Sequence, residues 1–329
     1  MNKQDIKLET TKNNTLKHWV RFARHAFFYA LLLTISPASL SAQITSILIL
    51  EESNKGFSKK LSQNISDKII KKHSNAKIHK KNLADQPDIE NISTHDIIVT
   101  LGNKPAEYIL RKKIKKPVIS LLITERAIKL LNKTYAPKNT WTTISLNQPI
   151  KRQLLLIKHL LGDKNVIGTI FGPVSQKNRE ETKIVAKELS LKLVNENILI
   201  TDQLISSLKN LTSKSDVILA IPDPVAFNKK TIRGILLLTY RKKIPIIGFS
   251  KSYVKAGALA AIYSSSEQIS KQASEIINNF INTKLLTRKN HAPKYFSVAI
   301  NKKMAHTFNI KTINNEKLVN FIKRDEKLK

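Results

Sequence analysis

The sequence predicts an α/β protein of two doubly wound lobes, each a small parallel sheet with helices on both faces. Three observations carry the prediction. From residue 45 onward, short apolar runs alternate with longer stretches of helical period, the mark of βα units on a parallel sheet. The series pauses at residues 148–163 and then starts again with the same alternation. At 329 residues the chain is long enough to bury two cores of ordinary domain size.

Residues 45–50 (TSILIL) open the first half as a strand. Residues 56–72 follow as an amphipathic helix with Phe57, Leu61, Ile65, Ile69 and Ile70 on one face, and 76–82 as a weaker strand. The unit repeats with a strand at 96–101 (DIIVTL) ending in Gly102, a helix over 105–113, and a strand at 117–123 (PVISLLI). Thr124 stands where a cap is needed for a short helix over 125–131, and 141–146 (WTTISL) closes this half.

Gln148-Pro149 opens a helix with Ile150, Leu154, Leu155, Ile157 and Leu161 as its apolar face, stopped by Gly162 and Asp163. The first crossing between lobes is expected here. The second half then offers strands at 166–171 (VIGTIF), 192–198 (KLVNENI), 216–221 (DVILAI) and 245–249 (PIIGF), with helices over 178–190, 202–211 and 228–240. After KAGALAAIYSSS (255–266), a long helix over 267–281 turns Ile269, Ala273, Ile276, Ile277 and Phe280 inward, and the tail holds one strand candidate, 295–300 (YFSVAI).

Composition excludes several classes. With no cysteine there are no disulfides, thiolate metal sites or cysteine nucleophiles. The 57 Lys+Arg against 24 Asp+Glu give +33, a field that attracts anions. The lysines are scattered beside asparagine and isoleucine rather than gathered on one element with interleaved aromatics, which points away from nucleic acid. Lys17, Arg21 and Arg24 precede an apolar run at 26–35 and the small residues 38–42, the order of a secretory signal peptide cut after Ala42. The run is well short of the roughly 20 residues that span a bilayer. Removing residues 1–42 takes six Lys/Arg and two Asp/Glu and leaves +29. No cysteine is present there to carry a lipid, so a free, unlipidated protein of the periplasm is expected.

In open parallel sheets, ligands bind beyond the carboxyl ends of the strands. The residues at those ends include Glu52 and Ser53; Gly102, Asn103 and Lys104; Gly172 and Ser175; Asp223; and Ser250. They are mostly small and hydrogen-bonding, and with helix N-terminal amides they suit the carboxylate or amide of a small solute. The same residue types make ordinary turns. Their recurrence in two matching halves is what points to binding.

Catalytic constellations are missing from the pattern. None of the eight histidines makes a pair at i, i+3 or i, i+4, and His95-Asp96 stands at a strand start, where it reads as a solvated pair. There is no phosphate loop and no Gly-x-Ser-x-Gly elbow. Glu51 and Glu52 are neighbours in an extended segment and point opposite ways. No enzyme activity, metal or cofactor is expected.

Several blocks read together. HDIIVTLGNKPA (95–106), QPIKRQL (148–154), VIGTIFGP (166–173), SDVILAIPDP (215–224), IPIIGFS (244–250), KAGAL (255–259) and FSVAINKKMA (296–305) resemble the substrate-binding proteins of ABC transporters with the type I periplasmic binding protein fold, a group that includes aromatic amino-acid receptors. The likeness covers essentially the whole chain after residue 42. It implies two Rossmann-like lobes joined by three crossings, a ligand in the cleft and a hinge that closes over it. The first lobe would be 43–150 plus 258–284, the second 151–257, with 285–329 packing across both. By family position Asn103, Lys104, Ser175, Asp223 and Ser250 would face the ligand, and Gly257 would supply the hinge's backbone freedom.

This chain has Tyr263 and Ser270 where many members have glycine, and Asn103-Lys104 where a small threonine or serine is usual. Tyr263 can wall off an apolar ligand while its hydroxyl meets a polar group. The resemblance therefore implies a monomeric receptor that delivers a small solute to an ABC permease in the inner membrane, with an amino-acid-like molecule as one candidate. An envelope interaction protein that uses its basic surface on anionic lipid or polysaccharide, or a sensor on the same fold, are the alternatives.

Overall fold

Alternation along β1 (Ser46–Glu51) sends Ile47 and Ile49 to one face of a sheet and Leu48 and Leu50 to the other, and all four are fully buried. A strand buried on both faces needs a layer of helices on each side, which is why its sequence is an unbroken apolar run. The computed structural model describes residues 45–52, 55–137, 141–311 and 314–327. The expected signal peptide at 1–42 and the candidate Ser53 lie outside them.

The first lobe continues with α1 (Gly56–Lys72), β2 (Lys77–Asn82), α2 (Ile89–Ser93), β3 (Ile97–Leu101), α3 (Asn103–Arg111), β4 (Val118–Ile123), α4 (Glu125–Tyr135) and β5 (Trp141–Ser145). Ile49 stands opposite Val99, and Val99 opposite Ile119. Leu61, Ile65 and Ile69 carry α1 onto the sheet. Phe57 and Ile70, expected on the same face, stay outside at 46% and 49% exposure, so the apolar stripe is narrower than the sequence suggested.

The second lobe is α5 (Ile150–Leu161), β6 (Val166–Phe171), α6 (Arg179–Glu188), β7 (Lys192–Asn197), α7 (Leu204–Thr212), β8 (Val217–Leu219), α8 (Ile232–Arg241), β9 (Ile246–Gly248), α9 (Lys251–Ala256) and β10 (Ala260–Tyr263). The chain then runs through α10 (Ser266–Thr283), β11 (Asn290–His291), β12 (Ser297–Ile300), α11 (Lys302–Thr307) and α12 (Asn315–Lys327). The sheet orders are β11-β5-β4-β3-β1-β2 and β12-β10-β9-β8-β6-β7, the same winding twice. Every pairing is parallel except β12 against β10.

One assignment is corrected. The run at 258–262, expected to return to the first lobe, forms β10 of the second sheet, with Ala260 opposite Ile247 and Ala261 opposite Gly248. It is the counterpart of β5, and Ala260 and Ala261 are fully buried between β9 and β12. The crossing follows Tyr263, and only α10 packs on the first lobe, where Ile269, Ala273 and Ile277 join the core of α1. Gly257 is accordingly no hinge: at φ +128° it ends α9 inside the second lobe, its N–H donating to Val254 O at 3.2 Å. Ser265 caps α10: its Oγ accepts the Gln268 N–H at 3.2 Å while its own N–H donates to Gln268 Oε1 at 2.9 Å.

The crossings are laced together. Gln148 Nε2 donates to Ser264 Oγ at 2.9 Å, and Ser264 Oγ donates to Tyr295 O at 2.6 Å, so one side-chain relay touches all three passages. The tail then feeds both lobes, pairing Asn290 with Thr143 of β5 and Ser297 with Tyr263 of β10. His95-Asp96 is not a solvated pair: His95 is buried with Nε2 3.0 Å from His79 Nδ1, and Asp96 Oδ2 accepts the Ser46 N–H at 2.8 Å. Among the described residues no helix is long and apolar enough to cross a membrane.

Candidate functional site

A cavity of about 850 Å³ lies at the carboxyl ends of the strands and takes its wall from both lobes. The first lobe contributes Asn103 at the start of α3, Thr124 to Ala127 at the start of α4, and Asn147 just after β5. The second contributes Ser175, the segment Pro222-Asp223-Pro224, Phe227, Asn228, and the Phe249 to Tyr253 stretch that includes Ser250. Asn103, Ser175, Asp223 and Ser250, expected from sequence, thus meet around one space.

Their hydrogen bonds limit what they can offer. Asp223 is 4% exposed and its carboxylate is saturated. Oδ2 accepts the Val174 N–H at 3.0 Å, the Ser175 N–H at 2.8 Å and the Ser175 hydroxyl at 3.0 Å, while Oδ1 accepts the N–H groups of Val225 at 2.8 Å and Ala226 at 3.2 Å. It braces two loops of the second lobe instead of facing a ligand with free acceptors. Gly172 makes room for it, since a Cβ there would stand 2.1 Å from Asp223 Oδ1. Ser175 is the other half of the brace, its Oγ accepting the Gly172 N–H at 2.9 Å.

The first-lobe wall is braced in the same manner. Asn103 Oδ1 accepts the Thr124 N–H at 3.1 Å, and Asn147 Oδ1 accepts the Glu125 N–H at 3.2 Å. Thr124 caps α4 as expected, its Oγ1 accepting the Ala127 N–H at 3.2 Å. Two of the amides at this helix start, those of Thr124 and Glu125, are therefore engaged by asparagines, whose own amide NH2 groups are further donors. Ser250 likewise caps α9, accepting the Tyr253 N–H at 3.3 Å.

Besides Gly172, four expected residues, Glu52, Lys104, Gly102 and Tyr263, lie away from the cavity wall. Glu52 pairs with Lys104 at 2.8 Å on the first-lobe rim, an exposed contact that raises the lysine pKa by hydrogen bond and charge. Lys104 borders a separate groove with Tyr108, Arg111 and Lys112. Gly102, at φ +113°, turns the chain into α3 with Glu52 Oε2 3.4 Å from where its Cβ would be, a torsion and a closeness that favour glycine. Tyr263 ends β10 half-buried, its ring centroid 5.8 Å from Lys251 Nζ.

Several wall residues were missed. Thr124, Glu125 and Asn147 obey the strand-end rule, applied to β4 and β5 as it had been to β1 and β3. Glu125 is a charged group perturbed at the site: burial raises its pKa, Glu181 of the second lobe raises it further, and Lys129 and Lys177 oppose. Burial depresses Lys177, with Lys129 adding repulsion. The wall also holds Arg126, Asn228 and Lys229, and its apolar part is Phe227, Ile232, Leu130 and a Phe249–Tyr253 pair whose ring centroids are 4.6 Å apart. No group of three or more His, Cys, Asp or Glu side chains among the described residues is placed to hold a metal.

A family model described as ABC transporter substrate binding protein matches residues 42–322. Among solved structures, the ABC domain in complex with L-Trp from Streptococcus pneumonia is 20% identical at a TM-score of 0.57, covering 84% of this chain and 98% of that one. A conserved domain protein from Vibrio cholerae is 21% identical at 0.58 over the same shares. A ligand-free, open substrate-binding protein with adhesive properties from Clostridium difficile is 17% identical at 0.68, covering 83% of this chain and 97% of that one. At these identities the likeness is one of fold. No curated protein matches the chain.

Proposed function

The chain belongs to the ABC transporter substrate-binding protein family, and from that premise we propose that it captures a small organic solute between its lobes and hands it to an ABC permease in the inner membrane. The observation that carries this is the cavity itself, walled by both lobes beside three hydrogen-bonded crossings. Closing such a hinge buries the solute and presents a changed surface to the permease. The wall suits a solute with an apolar or aromatic body and one or two polar groups, which keeps an amino-acid-like molecule among the candidates. Asn103, Asn147, Ser250 and Glu125 supply the polar contacts, and no covalent step is involved. The receptor acts as a monomer in the periplasm, to which the signal sequence at 1–42 directs it.

Thermal melts against a panel of amino acids, amines and small organic acids test this. A bound solute at a hundredfold excess over its dissociation constant adds about 2.7 kcal/mol and raises the melting point. A panel that moves nothing sinks the reading.

A further inference from the structure

From Pro224 to Ser266 the chain carries eight Lys and Arg and no Asp or Glu. None of the eight forms an ion pair with a carboxylate of the described residues. Their charge is therefore left to whatever lies outside the protein.

Helix α8 runs through this stretch. Ile235 and Thr239 are buried and carry it onto the sheet. Away from them it turns Arg233, Leu237, Tyr240 and Arg241 outward, at the i, i+4, i+7 and i+8 spacing of one helix face. Leu237 and Tyr240 are each 50% exposed. Gly234 lets α7 add to the same surface: Ile205, 41% exposed, has its Cδ1 3.9 Å from where a Cβ on Gly234 would stand. Lys242 and Lys243 follow the helix, both exposed. The result is an apolar strip with Arg233 toward one end and three successive cations at the other.

The first lobe repeats the cations without the strip. Arg111-Lys112-Lys113-Ile114 ends α3 as Arg241-Lys242-Lys243-Ile244 ends α8, with Lys113 at φ +53° and Lys243 at φ +57°. The two helices lead into β4 and β9, which hold the same place in their sheets. In that register an exposed Glu107 stands where Leu237 does, and a half-buried Leu110 where Tyr240 does. Cations suit the end of any helix. The exposed leucine and tyrosine are what the second lobe adds.

We propose that this face of the second lobe docks on an anionic bilayer surface, its cations among the headgroups and Ile205, Leu237 and Tyr240 at the acyl boundary. A soluble polyanion would meet the cations and leave the strip in water. A second copy of the chain would set cations against cations. A bilayer with acidic headgroups meets both needs, and tyrosine suits its boundary because the ring is apolar and the hydroxyl can stay wet. The docking goes beyond solute capture and holds whether or not the cavity takes a solute.

Cosedimentation of the secreted protein with phosphatidylglycerol vesicles tests this, beside phosphatidylcholine vesicles and soluble dextran sulfate. Wild type is expected to bind the anionic vesicles and not the neutral ones. Arg241→Gln, Lys242→Gln and Lys243→Gln together should weaken that binding about a hundredfold, about fivefold for each charge. The same three changes at Arg111, Lys112 and Lys113 remove equal charge and should cost far less. Leu237→Gln with Tyr240→Gln should weaken vesicle binding about tenfold and leave dextran sulfate binding unchanged.

Equal losses from the two tracts would reduce the binding to net charge and overturn the proposal. So would a wild type that binds no anionic vesicle, or a Leu237→Gln/Tyr240→Gln variant that binds vesicles like wild type. Loss of dextran sulfate binding in that variant would make the partner a polysaccharide, and wild-type dimers that it disperses would make it a second copy; either outcome overturns the proposal too. None of the substituted residues lines the cavity, so every variant should keep the wild-type response to the solute panel. A panel that moves nothing leaves the docking standing, and failed docking leaves solute capture standing.

Discussion

Glu326 grips the guanidinium of Arg152 with both carboxylate oxygens, Nη2 to Oε1 at 2.9 Å and Nε to Oε2 at 3.0 Å, bringing the last helix, α12, onto the first turn of α5. The remaining arm of the arginine donates to Gln148 Oε1 at 2.6 Å and to Pro293 O at 2.9 Å, and its plane lies over Phe296 at 4.1 Å. Arg152 is 5% exposed, and burial depresses its pKa while Glu326 opposes that. It therefore touches two of the three crossings directly. Glu326→Gln would leave a buried cation half-paired, at a cost on the order of 3 kcal/mol. A denaturant midpoint unchanged in the variant would reduce the pair to a surface contact.

The Asp223 brace makes a second prediction. Asp223→Asn puts an NH2 against a shell of N–H donors and is expected to cost about 2–3 kcal/mol. Gly172→Ala strikes the same carboxylate from the other side. Because both disturb one arrangement, the double variant should lose less than the sum of the singles. Additive losses in urea titrations would show that the two positions act independently.

Glu125 fixes the sign of a pH effect. Its folded pKa is raised by burial and then by Glu181, against Lys129 and Lys177. The folded state thus binds the proton more tightly than the unfolded state, so this contribution to stability falls as pH rises from the ordinary value of 4.5 through the raised one. Glu125→Gln removes the titration. The variant should match wild type in acid and exceed it increasingly toward neutral pH. Parallel urea midpoints from pH 4 to 7 would contradict this.

Ser264→Ala unlinks Gln148 from Tyr295 at a cost of about 1 kcal/mol, and its main effect should be on motion. The chain has no native cysteine, so spin labels at Lys60→Cys on α1 and Lys209→Cys on α7 report the lobe separation cleanly. A broader distance distribution in the Ser264→Ala background is expected. An unchanged one would mean that the relay does not restrain the hinge.

Much of this architecture was readable in the chain, because both sheets are buried on both faces and write themselves as apolar runs. Strands such as Val166–Phe171 and the helix Gly56–Lys72 needed no long-range information. The lobe to which Ala260–Tyr263 belongs did need it, since the same small apolar run could pair with either sheet and only its neighbours β9 and β12 decide. The site was half legible for a related reason. Strand ends located Asn103, Ser175, Asp223 and Ser250, but that Asp223 spends both oxygens on backbone amides and the Ser175 hydroxyl depends on loops brought together by the fold. Tyr253 lay hidden in a helix of six residues, too short to show a period.

Leu318 and Ile322 of α12 share a core with Leu156 and Leu160 of α5, and Phe296 and Val298 complete it. The first lobe, in turn, waits for Ile277 and Phe280 of α10. Neither lobe is therefore a segment that can finish folding as it leaves the ribosome; the second lacks part of its interior until residue 322 has been made. Such distant closures are slow to form. In each lobe the last part of the interior is supplied by a helix far along the chain from the lobe's first strand.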